Sequence, residues 1–344
     1  MVKGTKKTKR PSMQDVADLA GVSTTTVSFV INQVPDSNIP QKTQDRIWAA
    51  VETLEYRPNA LARGLRSQKT HTIGFISDEV ATTPYAGRII LGAQERAWKH
   101  NYLLLLVNTA GNQEMKQAGI DMMLERQVDG IIYATMYHRE ANPPDVLHQV
   151  PTVLLDCYAK DRSLPSVVPD EVDGGQGATE YLLAKGHRRI GFINNVDPIP
   201  ATYGRLEGYK AALAAHHIPY DEALVIAGES DARGGYECAL EIMQRSDPPT
   251  ALFCFNDRMA MGVYDALRKL NLMVPDDVGV IGFDDESLIA AQLYPGLTTM
   301  ALPHYEMGQW AVQHLLELID KPDGHEQTPG QHLIKCPLVE RESV

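Results

Sequence analysis

The sequence predicts an α/β protein: an all-α helix-turn-helix head at the amino terminus, followed by two Rossmann-like lobes. Three observations predict it. The chain has 344 residues, 44% of them apolar, which is too long for one small core and suits several packed units. Charge is divided unevenly: residues 1–70 hold 11 Lys+Arg against 6 Asp+Glu, whereas the remaining 274 hold 21 against 38, within a net charge of −12. Beyond position 70, short apolar runs alternate with amphipathic helical stretches.

The basic end comes first. Lys3 to Arg10 alone would pass for a solubilising tail, but basic residues continue at Lys42, Arg46, Arg57, Arg63, Arg66 and Lys69 within a helical pattern. A basic terminal module on an acidic body implies a nucleic-acid partner. Ser12 is placed to cap a helix, with Asp15 as its capping-box partner, and Val16, Ala17, Leu19 and Ala20 form an apolar face. Gly21 ends that helix, because glycine adopts a left-handed backbone without steric cost. Ser23 caps a second helix that turns Val27, Val30 and Ile31 inward and leaves Thr24, Thr25, Thr26, Ser28 and Asn32 facing out. Two short helices joined through a glycine turn, the second presenting small polar groups, suit a major groove. A third helix, about 42–55, closes the core with Ile47, Val51 and Leu54. The pattern alone would also fit a plain three-helix bundle. Pro58 then blocks continuation, and Asn59 can cap a further helix of about seven residues, too short to be stable alone. An ordinary linker is the alternative, although Leu61 and Leu65 are apolar for one.

The run Gln14-Asp15-Val16-Ala17-Asp18-Leu19-Ala20-Gly21-Val22-Ser23, with Thr26-Val27-Ser28 and Asn32, resembles the signature of the lactose-repressor/galactose-repressor (LacI/GalR) family of bacterial transcription regulators. Tyr56-Arg57-Pro58-Asn59-Ala60-Leu61-Ala62-Arg63-Gly64-Leu65 resembles its hinge helix, and the likeness extends from Ser12 to Arg341. The resemblance implies that Thr24 and Thr25 reach base edges and that Ser23, Ser28 and Asn32 hold phosphates. It also implies that Leu65 wedges into the minor groove. One position departs: Phe29 stands where most members carry a base-reading arginine. A phenyl ring can touch a thymine methyl but cannot make a bidentate contact to guanine.

The body reads as strands at 72–77, 103–107, 130–134, 152–156, 189–193, 251–255 and 278–283. Helices fall between and after them at 88–100, 113–126, 174–185, 205–216, 233–245, 258–270 and 307–320. Such alternation builds parallel sheets covered on both faces. The expected organisation is a head at 1–57, a hinge and linker at 58–69 and a core at 70–344. Within the core, lobe 1 takes about 70–165 and 300–328, and lobe 2 about 166–299 and 329–344. By the resemblance, the lobes have the periplasmic-binding-protein-like fold with an effector held between them.

Ligands of open parallel sheets bind beyond the carboxyl ends of strands. Asp78, Asp156, Asn256 and Asp284 occupy such ends, Arg205 opens a helix, and Tyr85 offers an aromatic platform. Carboxylates accept hydroxyl protons, a guanidinium donates to oxygens, and a ring face stacks on a pyranose. Taken singly, a carboxylate at a strand end is more often a loop cap than a ligand, Arg205 and Asp284 excepted. The resemblance makes these two the effector-binding arginine and aspartate, Tyr85 the stacking aromatic, and Asp156 and Asn256 further cleft positions. Ser230 departs where an aromatic often lies.

No catalytic constellation is legible. The Asp173-Gly174-Gly175-Gln176-Gly177 stretch completes no dinucleotide fingerprint and reads as a helix start. Neither a His-Glu-x-x-His pair nor a Gly-x-Ser-x-Gly elbow is present. Cys157, Cys238, Cys254 and Cys336 are too scattered for a zinc site or a disulfide framework and read as reduced, packed thiols. No cofactor or metal is expected. No run is long enough to span a membrane and no apolar signal region follows the basic start, so a cytoplasmic location at the nucleoid is expected. The implied partners are palindromic operator DNA, a small neutral sugar and a second copy of the chain. A homodimer rather than a tetramer is expected, since no leucine heptads follow Leu338-Val339-Glu340-Arg341. Release of the operator by the sugar is expected. The alternatives are a purine or sugar-phosphate corepressor, or a sugar-modifying enzyme fused to a DNA-binding head.

Overall fold

A computed structural model describes residues 11–34, 37–57, 69–83, 87–320 and 330–344. The chain divides into two compact units, residues 1–70 and 71–344. The expected hinge positions Asn59 and Leu65, and the aromatic platform Tyr85, lie outside the described residues.

In the first unit, α1 (Met13–Ala20) starts at Ser12, whose backbone N–H donates to Asp15 Oδ2 at 2.7 Å while its hydroxyl accepts from Asp15 N at 3.3 Å. Gly21 ends it at φ +63°. The second helix, α2 (Thr24–Ile31), starts at Ser23, and α3 (Gln41–Thr53) packs across both. Val16, Ala17, Ala20, Val27, Val30, Ile47, Ala50 and Tyr56 form the core, with Val51, Leu54 and Ile31 half-buried against it. Leu19, expected inside, is 54% exposed. At 100° per residue the stripe through Val16, Ala17 and Ala20 leaves it on the flank. Arg46 turns back to donate to Ala20 O at 2.7 Å, satisfying the end of α1 rather than facing outward.

The second unit carries two six-stranded sheets. The first has the order β11-β5-β4-β3-β1-β2. Its strands are β1 (Thr72–Ser77), β2 (Leu103–Asn108), β3 (Gly130–Ala141), β4 (Thr152–Ala159), β5 (Ser166–Pro169) and β11 (Gln331–Ile334). The second has the order β12-β10-β9-β8-β6-β7, from β6 (Ile190–Asn195), β7 (Val225–Gly228), β8 (Ala251–Cys254), β9 (Gly279–Asp284), β10 (Thr298–Ala301) and β12 (Leu338–Val339). All described pairings are parallel except β10 with β12. Helices α4 (Gly87–Lys99) and α10 (His304–Asp320) cover one face of the first sheet, and α5 (Gln113–Glu125) the other. On the second sheet α6 (Glu171–Ala184) and α7 (Pro200–Ala215) lie opposite α8 (Ala232–Met243) and α9 (Asp257–Lys269). All four cysteines are buried free thiols. No helix among the described residues is long and apolar enough to cross a membrane.

The lobe boundaries differ from the expected ones. Strands β5 and β11 belong to the first sheet, and β10 stays with the second, so the chain crosses between lobes near residues 170, 303 and 336. Each of these strands is four residues long with prolines close by, too short to show the alternation that marks a strand in sequence. Two helices also begin earlier than expected. Asp170 accepts from Asp173 N and starts α6, and Pro200 at the first turn starts α7, so Arg205 sits in its second turn rather than at its opening.

The close packing of α6 on α7 depends on glycine. A Cβ at Gly208 would meet Val172 O and Gln176 N, one at Gly175 would meet Arg205 O, and one at Gly204 would stand 2.6 Å from Glu171 Cβ. Alanine normally favours a helix over glycine, but here backbone blocks it. Gly208→Ala is expected to destabilise the protein by about 1–3 kcal/mol in urea unfolding followed by circular dichroism. An unchanged midpoint would show that the two helices part without cost.

Candidate functional site

The carboxyl ends of the strands face each other across the two lobes and enclose a cavity of about 490 Å³. Four expected site residues line it: Asp156, Arg205, Asn256 and Asp284. Asp156 and Asp284 have φ of +58° and +107°, a left-handed backbone that is costly outside glycine and common at functional sites.

Arg205 is the centre of the arrangement. Gly204 and Gly208 bring α7 against α6, so the buried guanidinium donates from Nε to Glu171 Oε2 at 2.8 Å. Its Nη1 donates to Phe255 O, and Nη2 lies 3.7 Å from Asp284 Oδ1. Phe283 and Phe255 flank its plane, with centroids 3.6 and 4.4 Å away. Glu171 faces His138 Nδ1 at 3.8 Å on the other side. Lobe 1 therefore supplies Asp156 and His138, and lobe 2 supplies Arg205 and Asp284. Glu171 stands at the crossover between them.

Protonation follows from burial. Asp156 is pushed well above the carboxylate range by burial, then by Glu171 and Asp78, with Arg205 pulling the other way. Its Oδ1 has no hydrogen-bond partner, although it is buried and lines the cavity. Asp284 is pushed up to about 7 by burial, moderated by Arg205. Burial would raise Glu171 too, but the charge of Arg205 and its hydrogen bond, with His138 nearby, hold it below the usual value. The guanidinium is thus already neutralised by one ionised carboxylate.

Two expected residues fall into lesser roles. Asp78 lies in a separate pocket of about 60 Å³, ion-paired with Arg139. Asn256 lines the cavity, but its Oδ1 caps α9 by accepting from Met259 N at 2.8 Å, and its amide donates to Ser230 O at 3.0 Å. The sequence reading missed Glu171, His138, Tyr137, Asn195, Asp197, Phe255 and Arg258, all of which line the cavity. Pro165 and Pro169 bracketing Ser166-Val167-Val168 could have exposed β5, and with it Glu171 at its exit. Residues 137 and 138 escaped because β3 continues past a register shift between Ala134 and Arg139.

In the head, Thr25, Asn32 and Ser23 are exposed and Thr24, Thr26, Ser28 and Phe29 half-buried along α2. Ser23 Oγ caps the helix by accepting from Thr26 N at 3.1 Å. Asn32 Nδ2 donates to Ser28 O at 2.8 Å.

Comparison with known proteins agrees with both parts. The sequence model described as "Bacterial regulatory proteins, lacI family" matches residues 12–59, and "Periplasmic binding protein-like domain" matches residues 179–344. The chain is 35% identical over 321 residues to the ribose operon repressor of Escherichia coli (strain K12), covering 92% of this chain and 95% of that one. It is 33% identical over 335 residues to the HTH-type transcriptional repressor PurR of Vibrio atlanticus (strain LGP32), covering 97% and 98%. The chain belongs to the lacI family of bacterial regulatory proteins. Among solved structures of this family, the lac repressor dimer bound to operator and the anti-inducer ONPF superimposes with a TM-score of 0.76 at 26% identity, covering 97% of this chain and 99% of that one. This lacI-family member is accordingly a DNA-binding transcriptional regulator with a periplasmic-binding-protein-like core for a small-molecule effector, and its named relatives are repressors rather than enzymes.

The cavity acids make stability depend on pH. Folded, Asp284 keeps its proton up to about pH 7, whereas its ordinary value is 3.8. Its contribution is full below the ordinary value and is lost as pH rises through about 7. Asp284→Asn stays neutral, so its Tm relative to wild type should rise from about pH 5 to about pH 8. A difference independent of pH would refute this account.

Proposed function

We propose that this regulator is a repressor that leaves a palindromic operator when a small neutral sugar fills the cavity between its lobes. The observation that carries the sugar assignment is Asp156, a buried carboxyl that lines a cavity of about 490 Å³ and has one oxygen without a hydrogen-bond partner. A polyol hydroxyl supplies the missing partner, and Arg205 and Asp284 stand ready on the facing lobe. A sugar phosphate fits poorly, because the two guanidiniums that line the cavity, Arg205 and Arg258, are already paired with Glu171 and Glu286, and Asp156, Asp197 and Asp284 line the same space. A purine corepressor also fits less well, since Arg205 already lies against Phe255 and Phe283. Closing the lobes on a sugar would bias the hinge between states that differ in DNA affinity.

DNA recognition is assigned to α2, with Thr24 and Thr25 at base edges and Ser23, Ser28 and Asn32 along the phosphates, and to Leu65 as a minor-groove wedge. The functional unit is a homodimer, which a palindromic site requires. Exposed Leu103 and Leu106 on the edge strand β2, Met115 and Met122 on α5, and Leu91 and Trp98 on α4 support association through lobe 1. The protein works in the cytoplasm at the nucleoid.

A thermal-shift screen of neutral sugars, sugar phosphates and purines, followed by operator titration, tests the effector. A neutral sugar should stabilise wild type and lower operator affinity, whereas Asp156→Ala should bind it about three- to tenfold more weakly, the worth of a neutral hydrogen bond. Stabilisation by a purine or a phosphate ester alone would reject the sugar assignment.

Phe29 offers a second test. Phe29→Arg should shift selection from randomised operators toward guanine at one symmetric position per half-site, by about 1–3 kcal/mol. Identical consensus sites from both proteins would show that Phe29 does not face a base.

A further inference from the structure

We propose that Glu171 is a charge filter: by neutralising Arg205 inside the cavity it makes the site refuse anionic ligands and admit uncharged ones. The inference rests on the cavity being the effector site. A guanidinium in a low-dielectric pocket attracts anions strongly, and arginine suits phosphates and carboxylates in particular. Here Arg205 is almost wholly buried and points into a cavity large enough for a sugar ester. What prevents it from acting as an anion receptor is Glu171, whose Oε2 accepts from Nε at 2.8 Å and whose side chain is equally buried. Phe255 O takes Nη1, and Asp284 lies 3.7 Å from Nη2.

The other groups around Glu171 point the same way. His138 from β3 lies 3.8 Å from Oε1, and its Nδ1 has no hydrogen-bond partner. Asp156 and Asp284 face the same space from β4 and β9. The cavity's second guanidinium, Arg258, is paired in turn with Glu286 at 3.0 Å, so an entering anion would meet carboxyl groups around two paired cations. The position of Glu171 is fixed rather than adaptable: it opens α6 immediately after the crossover from β5, and its Cβ rests against Gly204. The selection is thus held by one side chain on the backbone link between lobes.

Glu171→Gln isolates the charge from the shape. The amide oxygen still accepts from Arg205 Nε, and the new NH2 faces His138 Nδ1. Thermal stability of the full chain is measured in inorganic phosphate and in potassium chloride of equal ionic strength, beside Glu171→Asp, which keeps the charge. Wild type and the Asp variant should be insensitive to the exchange. The Gln variant should melt lower in chloride and regain Tm in phosphate, and its preference for a hexose phosphate over the parent hexose should rise at least tenfold. Should the Gln variant not fold, Glu171→Ser, which also leaves room for the anion, takes its place in the same comparison. Phosphate that stabilises wild type as strongly as the neutral variants, or that stabilises none of them, overturns the filter. If no neutral sugar stabilises wild type, the sugar assignment falls, and the phosphate comparison still decides the role of Glu171.

Discussion

The contact between α6 and α7 sets most of what the core can do. Two helices approach at glycine because backbone atoms of one occupy the space that a side chain on the other would need. That approach seats Arg205 on Glu171, and the resulting pair is buried on both sides. A buried pair of this kind contributes little net stability, since desolvation offsets attraction, yet removing one partner strands the other at a cost of roughly 3–5 kcal/mol. The pair is better understood as a constraint on chemistry. It holds a cation in the cleft without leaving its charge available, and it does so at a crossover where the two lobes are joined.

Around that constraint, the acids of the cleft are kept in different protonation states by their surroundings. Glu171 remains ionised beside Arg205, whereas burial raises Asp156 and Asp284. Arg205 offsets the charge of Glu171, while burial disfavours the charged forms of Asp156 and Asp284. A protonated Asp156 both donates and accepts, which is the capacity that a hydroxyl group requires of its partner. The same crowding that penalises an anion therefore favours a polyol.

Much of this was legible in the sequence, and the residues that were not share a physical reason. The capping box at Ser12 and Asp15, the left-handed Gly21 and the long alternating strands are local signals, each contained within a few consecutive residues. Asp156 and Asp284 were singled out because strand ends follow from that alternation, whereas Arg205 was placed at a helix start that lies five residues earlier and rested on the family resemblance. Glu171 and His138 were not. Glu171 follows a four-residue strand hidden between prolines, and His138 lies on a strand that resumes after a register shift. Both depend on pairing with segments distant in the chain, and periodicity carries no information about such partners. Leu19 and Arg46 were misjudged for a related cause: composition marked them as apolar and basic, but tertiary geometry left one outside and turned the other back onto a helix end.

The division of charge gives these local arrangements their consequence. The core carries 38 acidic against 21 basic residues, so at ordinary salt its field opposes contact with phosphate backbones, whereas the head carries the basic excess. DNA contact then falls to the basic amino-terminal unit. The cavity lies wholly within the core unit and supplies no side chain to that surface. An effector bound in that cavity can therefore change operator affinity only indirectly, to the extent that it binds one lobe arrangement better than another. A ligand that satisfied Asp156 from lobe 1 and Arg205 from lobe 2 equally well in both arrangements would bind without consequence. A ligand held from both lobes, as proposed, would escape that equality, because any change in lobe separation alters one set of contacts relative to the other.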